Sequence, residues 1–142
     1  MVDESARGDA RPVWQNVSFV DASALVALAD RDDVSHRAAV SAYRDLLAGG
    51  YRLFTTDLAL AGAHEMLSLA LGREVARSWL AQCNIHVVCA AAADVEVARR
   101  AIEEGSSAPD AALADVIQLA VLDRLGVTEV FAVDRGFLAM LG

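Results

Sequence analysis

Lysine is absent: all 12 basic residues among the 142 are arginine. That absence excludes a phosphate-binding loop, which needs Gly-Lys-Ser/Thr, and the receiver domains whose chemistry turns on an active-site lysine. Cysteine is scarce. Cys83 and Cys89 stand alone at no metal-site spacing, and both are expected to be inert core residues bracketing a strand. No Gly-x-Gly-x-x-Gly follows an apolar block, which removes dinucleotide binding. Apolar runs are short: 56% of residues are hydrophobic and mean hydropathy is +0.37, yet none approaches the roughly 20 residues of a membrane-crossing helix. The net charge of −8 argues against indiscriminate adhesion to nucleic acid or anionic membrane. It suits a cation site or a basic protein partner.

What is present is one domain's length of alternating pattern. The acidic start, "MVDESARGDARP", has neither signal nor transit character. Residues 1–16 are expected as a flexible tail, residues 17–142 as a single domain, and the chain as cytoplasmic. Short apolar blocks predict strands at "VSFVD", "YRLFTT", "NIHVVC" and "TEVFAVD". Helical periods lie between them, including a helix over 57–71 capped by Thr56 or Asp57. Another is expected to run from Pro109 in its first turn to Gly126 just past its last. Strands alternating with helices predict an α/β fold with a short, mostly parallel central sheet covered on both faces.

Four acids occupy places where an acid is costly. Asp21 interrupts "SFVDASALVAL", and Asp134 follows "VFAV"; both stand at the carboxyl ends of predicted strands, where open α/β sheets bind ligands. Each alone reads more readily as a helix cap or turn former, the common role of an Asp after a strand. Helical spacing puts Glu65 in a stripe with Leu58, Ala61 and Leu69, and Asp115 in one with Ala111, Ala112, Leu119 and Leu122. Both stripes are expected to face the sheet, and buried acids need partners. No arginine shares either stripe. Carboxylates gathered at one mouth of the sheet therefore point to divalent cations, and oxygen-only ligation suits Mg²⁺ or Mn²⁺. Two such ions about 3.5–4 Å apart form the clamp used in phosphodiester hydrolysis.

With these residues in view, the chain resembles the PIN-domain ribonucleases, and within them the VapC-type toxins of bacterial type II toxin–antitoxin pairs. "FVDASALVALADRDDVSHRAA" is similar to the family's opening strand, acid and helix. "FTTDLALAGAHEML" is similar to its second strand and glutamate helix, and "LADVIQLAVLDRLGVTEVFAVDRGF" to its closing unit with two aspartates. The resemblance spans about Ser18 to Phe137 and departs at Ala132, where many relatives carry Ser or Thr.

The resemblance implies a three-layer PIN-like fold and a homodimer. It also implies RNA cleavage dependent on Mg²⁺ or Mn²⁺ held by Asp21, Glu65, Asp115 and Asp134, and control by a cognate antitoxin. Water, not the 2′-hydroxyl, is then the nucleophile, and the products carry 5′-phosphate and 3′-hydroxyl ends. Ser23 is either a helix cap or a contact to a ligand carboxylate or substrate. Asp110 is expected in a first-turn dipole role. Arg135 is either a phosphate contact or a plain surface cation, His36 a polar helix residue, and Trp14 and Trp79 packing residues. Two rivals remain. A dehalogenase-type phosphohydrolase wants a second Asp where Ser23 stands, and a lysine. A catalytically degenerate PIN fold used as a binding or scaffold module keeps the architecture without the chemistry.

Overall fold

The computed structural model describes residues 16–141, with the side chain of Arg135 excepted. The tail expected over residues 1–16 thus lies, Asn16 apart, outside the described residues, as does Trp14. Eleven elements follow one another. They are β1 (Val17–Val20), α1 (Ala22–Ala29), α2 (His36–Ala48), β2 (Arg52–Thr56), α3 (Asp57–Leu71), α4 (Arg73–Gln82), β3 (His86–Val88), α5 (Ala92–Glu103), α6 (Leu113–Leu125), β4 (Glu129–Phe131) and α7 (Arg135–Leu141).

The four strands form one sheet in the order β3-β2-β1-β4, every pair parallel. Phe19 lies opposite Phe54 on one side and Val130 on the other. β1 is buried throughout, as a strand covered by helices on both faces must be. One face packs Val20 and Phe131 against Ala24, Leu25 and Ala27 of α1, Ala39 of α2, and Ala63 and Leu67 of α3. The other face stacks Phe19 between Phe54 and Phe137, with ring centroids 5.8 and 6.0 Å away, and closes over them with Leu122 of α6. Trp79 packs at the margin of the first cluster, as expected of it.

The sheet turns in opposite directions from β1: the chain runs outward to β2 and β3, then returns to place β4 on the other side. A crevice opens at the carboxyl ends of β1 and β4, the topological switch point of the sheet. Asp21 follows one of these strands directly and Asp134 lies just beyond the other.

Three expectations require correction. α6 begins at Leu113, not at Pro109, because Ala108–Ala111 closes a turn in which the Ala111 N–H donates to the Ala108 carbonyl at 3.0 Å. Proline's fixed φ suits the second position of such a turn as well as it suits a helix start. Ala111 and Ala112 therefore precede the helix, and Asp110 is an exposed turn residue rather than a first-turn dipole partner. Gly126, by contrast, ends α6 in the left-handed conformation at φ 71°.

On α3 the inward face is Ala59, Ala63 and Leu67, not the stripe through Leu58, Ala61, Glu65 and Leu69. Leu69 is 83% exposed, and Glu65 and Ala61 are exposed with it. Apolar residues surround this helix on all sides, so periodicity alone does not choose its face. Small residues choose it: a Cβ added at Gly62 would lie 3.7 Å from that of Ala22, a close approach of α3 to α1. Finally, Cys83 is half-buried and Cys89 exposed, because β3 is an edge strand with one side open. Neither is a core residue.

Candidate active site

Asp21 caps α1 in extended conformation and is 5% exposed. Its own N–H donates to the Phe131 carbonyl at 2.9 Å, continuing the β1–β4 ladder one step past the strand. This is what an acid in an apolar run accomplishes here: the backbone belongs to the sheet while the side chain caps α1 and accepts the Ser23 hydroxyl.

Ser23 ties that acid to the second. Its hydroxyl donates to Asp21 Oδ2 at 3.0 Å and accepts from the Val133 and Asp134 N–H groups at 3.0 and 3.1 Å. One donor and two acceptor sites are a hydroxyl's full capacity, and all are used. Ser23 is thus neither the helix cap, which Asp21 supplies, nor free for substrate. The segment after β4 is held from Ser23, so it needs no hydroxyl at position 132, where Ala132 packs with the core. Ser23→Ala is expected to lower cleavage about 10–100-fold, in the range for residues that orient acidic ligands, while Ser23→Thr retains most of it; initial rates at saturating Mn²⁺ give the measurement.

Asp115 enters from α6, in its first turn and half-buried. Its pKa is raised above the ordinary 3.8, first by burial and then by the negative charges of Asp21 and Asp134. Three of the four expected acids therefore interact electrostatically with one another. Asp115 and Asp134 line a cleft of about 390 Å³ together with Asp110 and Phe137. The fourth acid, Glu65, is exposed on α3, and the charges that raise the Asp115 pKa are those of Asp21 and Asp134. A larger cavity, about 510 Å³, is lined by Val20, Leu25, Trp79, Ile85 and their neighbours without one carboxylate, and so offers a cation nothing.

Sequence reasoning overlooked Gln118, one turn beyond Asp115 and 3% exposed, whose amide lies 3.4 Å from Asp115 Oδ1. A polar residue in the run "DVIQLAVL" was the available signal. His36 lies in a helix as expected, and its Nδ1 donates to the Ala27 carbonyl at 2.7 Å, pinning the start of α2 to the end of α1.

Three carboxylates that share one neighbourhood and offer only oxygen are the kind of donor a hard divalent cation takes. Among the described residues they do not by themselves close into a group of three metal-ligating side chains. The donor chemistry fits; the three come together around Asp115 without completing a ligand cage.

Comparison with known proteins agrees with the fold. A family model described as PIN domain matches residues 18–140. The crystal structure of Mycobacterium tuberculosis VapC20, a Sarcin-Ricin loop cleaving toxin, is similar at a TM-score of 0.72 and 22% sequence identity, with 87% of this chain and 93% of that chain covered. No curated protein matches the chain.

Proposed function

Because the chain belongs to the PIN domain family, we propose that it is a divalent-metal-dependent endoribonuclease and the toxin of a toxin–antitoxin pair. One observation carries this: Asp21, Asp115 and Asp134 meet at the switch point of a parallel sheet, close enough that two of them raise the pKa of the third. Like charges that raise the pKa of a neighbouring acid beside a cleft are an arrangement suited to a cation. Mg²⁺ or Mn²⁺ held there supplies Lewis acidity toward a phosphodiester and lowers the pKa of water.

The chain's own residues do the rest. The Ser23 hydroxyl ties the Asp21 carboxylate to the backbone that carries Asp134, whose own side chain is exposed. Asp115 faces them across the cleft. Glu65, on the exposed side of α3, belongs to the proposal as the outermost acid, and its removal is expected to cost the least of the four. Among the described residues no helix is long and apolar enough to cross a membrane. A cytoplasmic homodimer bound by a basic antitoxin segment is part of the same reading, supported by the net charge of −8.

A calorimetric Mn²⁺ titration of purified, antitoxin-free protein tests it, with Asp21→Asn alongside and a sarcin–ricin loop RNA as the first substrate. Wild type is expected to bind Mn²⁺ and to cleave RNA only with it, and Asp21→Asn to do neither. Folded wild type that takes up no Mn²⁺ at millimolar concentration favours the scaffold reading, to which the exposure of Glu65 already lends weight.

A further inference from the structure

Gln118 is buried among apolar neighbours: Val116, Ile117, Val121 and Leu122 are the other buried residues of α6. An aliphatic side chain would pack there at no polar cost, whereas a buried amide must find partners at both ends. It finds them on two different elements. Thr56 Oγ1–H donates to Gln118 Oε1 at 2.8 Å. Thr56 is itself fully buried, and its oxygen accepts the Ala59 N–H at 3.0 Å as the cap of α3. With Oε1 committed to Thr56, the Nε2 donor is turned toward Asp115 Oδ1, 3.4 Å away and one helical turn back.

We propose that Gln118 is a positioning residue for Asp115, holding that carboxylate toward the cleft through a buried relay anchored at Thr56 and the first turn of α3. This rests on Asp115 being a cation-binding acid. A bond whose only task was to join α3 to α6 would need the Thr56–Gln118 contact alone. The second end of the amide serves Asp115, and side chains that orient an acidic ligand in this way typically alter metal affinity by about 10–100-fold. At 3.4 Å the contact lies at the long end of hydrogen-bonding distance, which places the expected effect at the low end of that range.

Gln118→Met, which keeps volume and removes both bonds, tests this by Mn²⁺ calorimetry, metal-free melting and RNA cleavage kinetics. Arg124→Ala serves as a control that destabilises the same helix far from the cleft, and Asp115→Asn as a control for the site. The expected result is a roughly tenfold loss of Mn²⁺ affinity and a fall in kcat with KM for RNA little changed, while Arg124→Ala melts lower but binds Mn²⁺ like wild type. Gln118→Asn, which keeps an amide but shortens its reach, is expected to move affinity the same way, and decides the matter should Gln118→Met not fold. If the Gln118 variants lose melting temperature yet bind Mn²⁺ as wild type does, Gln118 is structural and the proposal fails while the site stands. If wild type and Asp115→Asn alike take up no Mn²⁺, the site itself fails and the role of Gln118 falls with it.

Discussion

Asp115→Asn is expected to abolish RNA cleavage and, in the metal-free protein, to raise the melting temperature. The two effects have one cause. Burial and then the charges of Asp21 and Asp134 raise the pKa of Asp115 above 3.8. A carboxyl whose native pKa exceeds its unfolded value stabilises the native state below the unfolded pKa, and that contribution is lost as pH rises through the native value. At neutral pH the charged group is therefore a net cost to folding. Asparagine removes the charge at nearly constant shape, so the cost disappears and the protein melts higher. The same charge is what a divalent cation would bind, and metal assistance supplies several kcal/mol of transition-state stabilisation, about 10²–10³-fold in rate or more. Thermal melts without metal, paired with cleavage assays in Mn²⁺, check both arms. A variant that is both inactive and less stable would mean that Asp115 serves the fold rather than the site.

The architecture was legible because the strand blocks are short and apolar, and because glycines stand where the helices stop. Gly126 is the clear case: it adopts the left-handed conformation that ends α6, as the sequence pattern predicts. Asp21 and Asp134 were legible as acids at strand ends, a position defined by the sequence neighbours themselves. Glu65 was not legible in the same way. The helix "DLALAGAHEMLSLAL" is apolar on every side, so its inward face is set by which small residues let α1 approach, and those contacts are absent from the sequence pattern. Pro109 misled for a related reason. Its φ near −65° is shared by the helix start and the turn, and only the Ala111–Ala108 hydrogen bond distinguishes them.

The sequence already offers Ser23 a carboxylate partner; the Val133 and Asp134 N–H groups it also reaches, and the partners of Gln118, lie beyond residue-type reasoning. Neither Ser23 nor Gln118 is charged, yet each links elements distant in sequence through its hydrogen bonds. Ser23 reaches residues 110 and 111 positions away, and Gln118 reaches one 62 positions away. Acids betray themselves in a sequence by the cost of their burial. The neutral residues that orient them carry no such mark, and only the fold brings their distant partners into view.

Asp94→Asn is expected to destabilise the protein although it lies outside the cleft. Asp94 opens α5 and is 2% exposed. It accepts the Ala91 N–H at 2.8 Å, capping the helix, and receives Nε and Nη2 of Arg124 at 2.9 Å each. The fork-to-fork pair joins α5 to α6 beside the small cluster of Ala98, Val116 and Ile117, and so bears on the helix that carries Asp115. The Arg124 hydrogen bond lowers the pKa of Asp94 below 3.8 despite its burial. Here the sign is the reverse of that at Asp115: a depressed native pKa gives stability that is complete above about pH 4 and is lost as pH falls through the native value. Asparagine can still cap α5 but offers no charge to Arg124, so the melting temperature should fall by roughly 5 °C at pH 7. The gap between wild type and variant should then narrow as the pH is lowered below 4, because wild type loses by protonation what the variant already lacks. Melts at pH 7, 5, 4 and 3 resolve the trend. A gap that stays constant to pH 3 would show that packing at Asp94, not its charge, joins the two helices.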